Sequence, residues 1–93
     1  MISIDQQIKI KEILAPFEPI EIGIFGSFAR NENTEYSDLD ILVQFGKKLN
    51  LFDLVDLENK LSESLGIKVD LVTRNALSPL IKEYIEKDLR KIA

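Results

Sequence analysis

The chain has 93 residues, 45% of them hydrophobic and 30% charged, which is typical of one globular domain spanning residues 1–93. It contains neither Cys nor His, which excludes disulfides, thiolate nucleophiles and imidazole acid–base catalysis and leaves oxygen atoms to bind a metal such as Mg²⁺, Mn²⁺ or Ca²⁺. The net charge of −4 argues against direct nucleic-acid binding. The N-terminus does not have the pattern of a signal peptide, and no apolar run approaches about 20 residues, so we expect a cytoplasmic protein without membrane contact.

The N-terminal part of the chain predicts a helix, a strand and a loop. Ser3 and Gln6 have the spacing of a helix capping box, and apolar residues at helical spacing follow them. Residues 21–25 are mostly apolar or β-branched and predict a strand that ends at Gly26. The polar stretch 31–37 has no apolar periodicity and predicts a loop.

The rest of the chain predicts two more strands and two more helices. The strands are residues 39–45 and 67–73, and the helix between them begins after the cap Asn50 and ends at Gly66. A Ser-Pro pair predicts the start of a last helix, from about 79 to 92. This order indicates a small α/β or α+β domain, with helices packed on a mixed sheet of about three strands.

The last predicted helix carries an apolar stripe. Its members are Leu80, Ile81, Tyr84, Ile85 and Leu89. We expect these side chains to lie in the core, because a small sheet needs helical cover. The alternative is an interface with a partner protein or with a second copy of the chain.

Two carboxylates stand at the start of the second strand. Residues two apart in a strand project from the same face, so Asp38 and Asp40 point together while Leu39 points away. Strands disfavour Asp, and two like charges at close range repel unless a cation lies between them. A divalent metal bound by both is the simplest explanation. Without a metal, Asp38 would cap the loop and Asp40 would lie at a wet strand edge.

Asp70 is a third carboxylate inside an apolar strand. If its strand neighbours the strand of Asp38 and Asp40, three carboxylates converge on one site. Such a site suits a pair of Mg²⁺ ions that are shared with substrate phosphates. The alternative is that Asp70 pairs with Lys68 on its own strand or lies at the edge of the sheet.

Gly26 and Ser27 directly follow the first strand. Gly allows a sharp turn and a close approach of the backbone to an anion, so the freed N–H groups and the Ser27 hydroxyl can hold phosphate oxygens. Arg30, one turn later, adds a positive charge to this nucleotide-binding set. The alternative is a plain turn after a strand. A Walker P-loop is excluded because no Gly-Lys-Ser/Thr follows.

Taken together, these features resemble a known family. Residues 23–30 read GIFGSFAR and residues 36–43 read YSDLDILV. The Gly-Ser pair, ten intervening residues, the Asp-x-Asp strand and a later strand Asp resemble the DNA polymerase beta-like nucleotidyltransferase superfamily, in its minimal nucleotidyltransferase (MNT) branch. In length and element order the resemblance covers nearly the whole chain and implies the nucleotidyltransferase fold.

The resemblance also implies an activity. Family members transfer a nucleoside monophosphate from a triphosphate to a hydroxyl and release pyrophosphate. Asp38 and Asp40 match the family's first two Mg²⁺ ligands. Asp70 matches the third carboxylate, which helps to bind the catalytic metal and to activate the acceptor hydroxyl. Gly26 and Ser27 match the loop that holds the triphosphate.

Two positions of the loop depart from the usual pattern of the family. Asn31 stands where many relatives have Gly directly after the Arg of this loop. Asn tolerates left-handed backbone angles better than most residues, so we expect the turn to survive. Phe28 stands where many relatives have a basic residue, so we expect no extra charge contact to the triphosphate there.

Proteins of this length resemble the antitoxin of HEPN–MNT toxin–antitoxin pairs. That resemblance implies a Mg²⁺-dependent enzyme, with two ions, which moves AMP from ATP to a tyrosine hydroxyl of an RNA-cleaving HEPN partner. Two alternatives stay open: a non-catalytic antitoxin that occludes the toxin by binding, and a nucleotide-regulated accessory subunit. Asp-to-Asn changes discriminate between catalysis and occlusion, because occlusion should survive them.

Overall fold

The computed structural model describes residues 2–93, and these residues form three α-helices and four strands. The helices are α1 (Ile4–Leu14), α2 (Leu51–Leu65) and α3 (Pro79–Glu86). The strands are β1 (Pro19–Phe25), β2 (Leu39–Phe45), β3 (Val69–Thr73) and β4 (Arg90–Lys91). Among the described residues, no helix has the length and apolar character needed to cross a membrane.

Side-chain caps fix where the first two helices begin. Ser3 Oγ accepts a hydrogen bond from Gln6 N at 3.1 Å, and Gln6 Oε1 accepts one from Ser3 N at 2.8 Å, which confirms the predicted capping box. Asn50 caps α2 in the same way, its Oδ1 accepting from Asp53 N at 2.8 Å. At the other end of α2, Gly66 adopts the left-handed φ of 67° that favours Gly.

The four strands form one mixed sheet in the order β3-β2-β1-β4. β1 is antiparallel to both β2 and β4, whereas β2 and β3 are parallel and are joined by α2 as a crossover. The predicted bounds of β2 are confirmed, while β1 begins two residues earlier and β3 two residues later than predicted. The predicted class, a small mixed sheet with helices packed on it, is confirmed.

Helices α1 and α2 cover one face of the sheet. Alternate strand residues and inward helix residues form its core: Ile10, Leu14, Ile22, Ile24, Leu39, Ile41, Val43, Leu57 and Leu61. Fully burying an aliphatic side chain stabilises a fold by about 1.5–3 kcal/mol, so this layer is the main source of stability. Because strand residues alternate, Asp40 projects from the opposite face to its neighbours Leu39 and Ile41.

The edge strand β3 is fastened to α2 by side chains. Ser62 Oγ accepts a hydrogen bond from Val69 N at 2.9 Å, and Glu58 Oε2 accepts one from Leu71 N at 2.8 Å. These amides therefore have partners on the side of β3 where the sheet supplies no further strand. The two bonds flank Asp70 and hold it at a fixed place on the sheet.

The C-terminal segment differs from the prediction. A helix was predicted from about 79 to 92, but α3 ends at Glu86, and the chain turns and adds β4 as a fourth strand. Leu89, just before β4, packs against Gly23 of β1, where an added Cβ would lie 2.5 Å from Leu89 Cδ1. Because Gly23 has no side chain, Leu89 can pack directly on the backbone of β1. This long-range contact favours the strand β4 over the longer helix that the apolar spacing predicts.

The apolar stripe of the last helix is mostly exposed. Ile85 is only 5% exposed and covers the sheet as expected. Leu80, Ile81 and Tyr84 are 82%, 53% and 69% exposed, so the expectation that they lie in the core is wrong. A helix of eight residues makes little more than two turns, and Ile85, in its last turn, is its buried residue.

A charged cluster ties the C-terminal segment to β1. Glu21 is 8% exposed, and its carboxylate accepts a hydrogen bond from Arg74 Nε at 2.6 Å and lies 3.0 Å from Lys91 Nζ. Arg74 also donates to Glu86, the last residue of α3, at 3.1 Å. The hydrogen bond from Arg74 is the main cause of the lowered pKa of Glu21, so this carboxylate stays charged despite its burial.

Arg74→Met should lower the free energy of unfolding by about 2–4 kcal/mol, because it leaves the buried Glu21 carboxylate with Lys91 alone. Urea denaturation measures the change. Lys60→Met is the matched control: Lys60 lies 3.1 Å from Asp56 on the surface of α2, and losing this exposed pair should cost less than about 0.5 kcal/mol. Equal effects would show that the Glu21 cluster contributes no more than a surface ion pair.

Candidate active site

Three acidic residues lie at one end of the sheet face that α1 and α2 leave uncovered. In the parallel pairing of β2 with β3, Asp40 stands opposite Asp70. Asp38 precedes β2 by one residue, and Asp40 is half-buried whereas Asp38 and Asp70 are exposed. The condition set by the sequence prediction, that the two strands are neighbours, is met. Lys68, which the sequence offered as an ion-pair partner of Asp70, instead lies 4.0 Å from Asp38. The other alternative for Asp70 does hold in part, because β3 is an edge strand of the sheet.

The environment of Asp40 disfavours its charged form. Burial raises the pKa of Asp40 to about 6, and the negative charges of Asp70 and Asp38 add to the effect. Arg30 acts in the opposite direction and more weakly. Perturbation of this kind, by desolvation and like charges together, is typical of functional carboxylates. A divalent cation would offset both causes, since it favours the ionised form.

The donor atoms fit Mg²⁺ or another hard divalent cation. The three side chains offer carboxylate oxygens, and the chain has no Cys or His that would select a softer metal. Within residues 2–93, no three acidic side chains stand close enough to form a complete metal site. Mg²⁺ is usually held by one or two carboxylates, with water and substrate phosphates as its other ligands. The open arrangement therefore suits a metal that arrives with a nucleotide.

The turn after β1 brings the backbone against Asp40. Gly26 has a φ of 73°, and an added Cβ there would collide with Oδ2 of Asp40. Gly is thus required both for the left-handed backbone and for the close approach. Asn31 has a φ of 58°, which confirms that Asn supports the left-handed conformation in this turn.

Buried side chains hold the turn in place. Phe28 and Ala29 are 8% and 1% exposed and belong to the core. The apolar residue at position 28, where many relatives have a basic one, therefore fills a buried place in this protein. Glu32 N donates to Ser27 O at 2.9 Å, and Arg30 N donates to the carbonyl at the start of the turn at 3.2 Å. These backbone hydrogen bonds hold the loop in one conformation, in which Ser27 and Arg30 line the pocket.

Most of the predicted site residues line one open pocket of about 390 Å³. Its lining consists of Phe25, Gly26, Ser27, Arg30, Ser37, Asp38, Asp40, Tyr84, Ile85 and Asp88. Asp70 is the one predicted site residue outside this lining, and it stands beside Asp40 on β3. The volume falls within the range of about 300–1,000 Å³ that is typical of small-ligand sites.

One wall of the pocket comes from the C-terminal segment, which the sequence did not predict. Arg30 Nη1 donates to Asp88 Oδ2 at 2.7 Å, and Arg30 Nε donates to Glu32 at 3.1 Å. The charge of Arg30 is therefore shared between two carboxylates. Tyr84 and Ile85 complete the wall, and their only signal in the sequence was the apolar stripe, which was interpreted as core.

A second open cavity, of about 610 Å³, lies on the other side of Asp38. It shares Ser37 and Asp38 with the first pocket and continues past Tyr36 and Lys68. None of the predicted phosphate-binding residues lines it. Asp38 therefore lines both cavities and is accessible from each of them.

Comparison with known proteins places the chain in a family. The family model described as Nucleotidyltransferase domain matches residues 7–92. The chain belongs to this family of nucleotidyltransferases. Membership implies a nucleotide substrate and a divalent metal in general terms, which agrees with the pocket and its carboxylates.

Two related proteins and one solved structure support the assignment to the nucleotidyltransferases. A Methanocaldococcus jannaschii protein whose name proposes protein adenylyltransferase activity is 49% identical over 80 residues, which cover 85% of this chain and 82% of that protein. The protein adenylyltransferase MntA of Thermococcus cleftensis is 39% identical over 79 residues, 85% of this chain and 80% of that protein. A crystal structure of a toxin–antitoxin with AMP-PNP has a TM-score of 0.86 at 25% identity and covers 94% of this chain and 72% of that one. The resemblance to minimal nucleotidyltransferases is confirmed.

Gly26→Ala should abolish Mg²⁺-dependent binding of ATP, because the new Cβ displaces the carboxylate of Asp40. The left-handed backbone at this position adds a destabilisation of about 1–2 kcal/mol. Calorimetric titration and urea denaturation measure the two effects. Gly66→Ala is the matched control, since Gly66 has a φ of 67° and nothing within 4 Å of an added Cβ. It should lose similar stability and bind ATP normally; loss of binding in both variants would contradict the steric argument.

Proposed function

We propose that this nucleotidyltransferase moves AMP from ATP to a hydroxyl group of a partner protein and thereby acts as an antitoxin. The observation that carries the proposal is the pocket in which the Gly26 turn touches Asp40. Metal-assisted transfer from a nucleoside triphosphate uses a phosphate-binding turn and metal-binding carboxylates side by side, and the missing side chain at position 26 permits that contact. The names of the relatives support the same reaction.

Each part of the site has a proposed role. The N–H groups of the turn, the Ser27 hydroxyl and Arg30 hold the triphosphate oxygens. Asp38 and Asp40 hold Mg²⁺, and Asp70 completes the carboxylate set from the neighbouring strand. Bound Mg²⁺ supplies charge neutralisation at the α-phosphate and the leaving pyrophosphate, and a set of three carboxylates suits two ions.

The transfer step needs little covalent help from the protein. The acceptor oxygen bonds to the α-phosphorus of ATP, while the bond from that phosphorus to the oxygen bridging to the β-phosphate breaks. Pyrophosphate leaves with the electron pair, and AMP stays on the acceptor. The hydroxyl proton passes to the exposed carboxylate of Asp70, which takes the part that His plays in many enzymes and that this chain cannot supply.

The acceptor that we propose is a tyrosine of a HEPN-type toxin. The residues shared with MNT antitoxins imply this partner, and the structure with AMP-PNP that superposes on the chain is that of a toxin–antitoxin. Leu80 and Ile81 are exposed apolar residues of α3 next to the pocket, and a docking protein would cover them. The net charge of −4 favours a protein acceptor over RNA or DNA.

ATP labelled at the α-phosphate should label the HEPN-type partner, with the mass of AMP added once or several times, pyrophosphate released and the partner's ribonuclease activity lost. ATP labelled at the γ-phosphate should leave the partner unlabelled, and label there would indicate a kinase instead. The double variant Asp38→Asn with Asp40→Asn should slow transfer by about 1,000-fold or more, because the metal loses two ligands.

The controls separate catalysis from simple binding. Asp56→Asn removes an exposed carboxylate of α2 outside the pocket and should transfer AMP at the normal rate. If the double variant still inhibits the partner although neither wild type nor variant labels it, the toxin is neutralised by occlusion and the proposed reaction is wrong. Nucleotide binding without transfer or inhibition would instead indicate an accessory subunit.

Asp70→Asn should slow AMP transfer by about 100-fold while the affinity for ATP changes only a few-fold, because Asp70 serves the acceptor and lies outside the pocket lining. The rate of AMP transfer and calorimetric ATP binding give the two values. The bonds from Glu58 and Ser62 keep β3 in place in the variant. A parallel loss of rate and affinity would assign Asp70 to nucleotide binding and not to the acceptor.

A further inference from the structure

The pocket lining combines two chemically different surfaces. Around Gly26 and Asp40 it is polar and charged, whereas Phe25, Tyr84 and Ile85 contribute apolar and aromatic surface. A nucleotide has the same two parts, a charged phosphate tail and a flat base. If the phosphates lie at the Gly26 turn, the apolar residues of the same pocket are what the base can contact.

Tyr84 is the exposed ring in this apolar group. It is 69% exposed although it lines the pocket, while Ile85 next to it lines the pocket and is only 5% exposed. Leu80 and Ile81, the other exposed apolar residues of α3, do not line the pocket. An aromatic face left open beside a phosphate-binding turn is the kind of surface on which bases stack.

Two hydrogen bonds, one on each side of Leu89, hold the segment that follows α3 against the turn. Asp88 accepts a hydrogen bond from Arg30 of the turn at 2.7 Å. Arg90 Nε donates to the carbonyl of Ala29, also in the turn, at 2.8 Å. The end of α3 is thereby tied to the loop that holds the phosphates. The backbone that carries Tyr84 is therefore kept beside the turn, so the helix need not move when a ligand binds, which favours affinity.

We propose that Tyr84 forms the nucleobase subsite, with its ring stacked on the base of the nucleotide whose phosphates lie at the Gly26 turn. This inference rests on the proposed function, because it takes the pocket to be the donor-nucleotide site. Stacking uses the π face that every base carries, so ATP and GTP should gain similar affinity from it. The subsite contributes affinity and does not select between the purines.

Two probes separate the base from the phosphates: ATP with Mg²⁺, and inorganic tripolyphosphate with Mg²⁺, which has no base. In calorimetric titrations, Tyr84→Ala should weaken the Kd for ATP about tenfold and leave the Kd for tripolyphosphate unchanged. Tyr84→Phe keeps the ring and should bind ATP like the wild type. An unchanged ATP affinity in Tyr84→Ala would overturn the subsite, and unchanged binding with weaker AMP transfer would assign the ring to the acceptor protein.

Two control variants test whether the effect belongs to this ring. Phe52→Ala removes a similarly exposed aromatic ring from α2, outside both cavities, and should change neither Kd. Tyr36 is 87% exposed and lines the second cavity, so a loss of ATP affinity in Tyr36→Ala alone would place the base there and overturn the proposal. If the wild type binds neither probe, the proposed function fails as well; equal affinity for both probes would refute the base subsite alone.

Discussion

The parallel pairing of β2 with β3 places Asp40 directly beside Asp70, and like charges at facing positions of a sheet repel. The fold tolerates this arrangement because the opposite face of the same strands, with Leu39 and Ile41, is fully buried under α1 and α2. Burial is the main cause of the raised pKa of Asp40, and this repulsion adds to it. A divalent cation would offset both causes, because it favours the ionised form of the carboxylate. The chemistry of the site therefore depends on a strand pairing that the core, not the site, stabilises.

Local signals made much of the fold predictable. The caps at Ser3 and Asn50 and the turn at Gly26 act between residues that are close in the chain, so their geometry can be inferred from a few neighbouring letters. Asp70 is an intermediate case. Its place on an apolar strand was visible in the sequence, but its meeting with Asp40 required two strands to be adjacent, which only the sheet order establishes.

The pocket wall formed by the C-terminal segment could not be predicted, because nothing local marks it. The partner of Arg30 is Asp88, 58 residues away, and the apolar spacing of α3 continues to Leu89 although the helix ends before it. What ends the helix is a distant contact, the approach of Leu89 to the bare backbone of Gly23. The apolar spacing consequently predicts a core position for Tyr84, whereas the structure exposes it at the pocket.

The bonds from α2 to β3 have a further consequence for assembly. An edge strand with free N–H groups is a template on which another chain can add a strand, and this is a common route to aggregation. Here Glu58 and Ser62 occupy two of those groups, and at the opposite edge β4 is only two residues long. Any protein that docks on this domain would therefore engage its helices and side chains rather than extend its sheet.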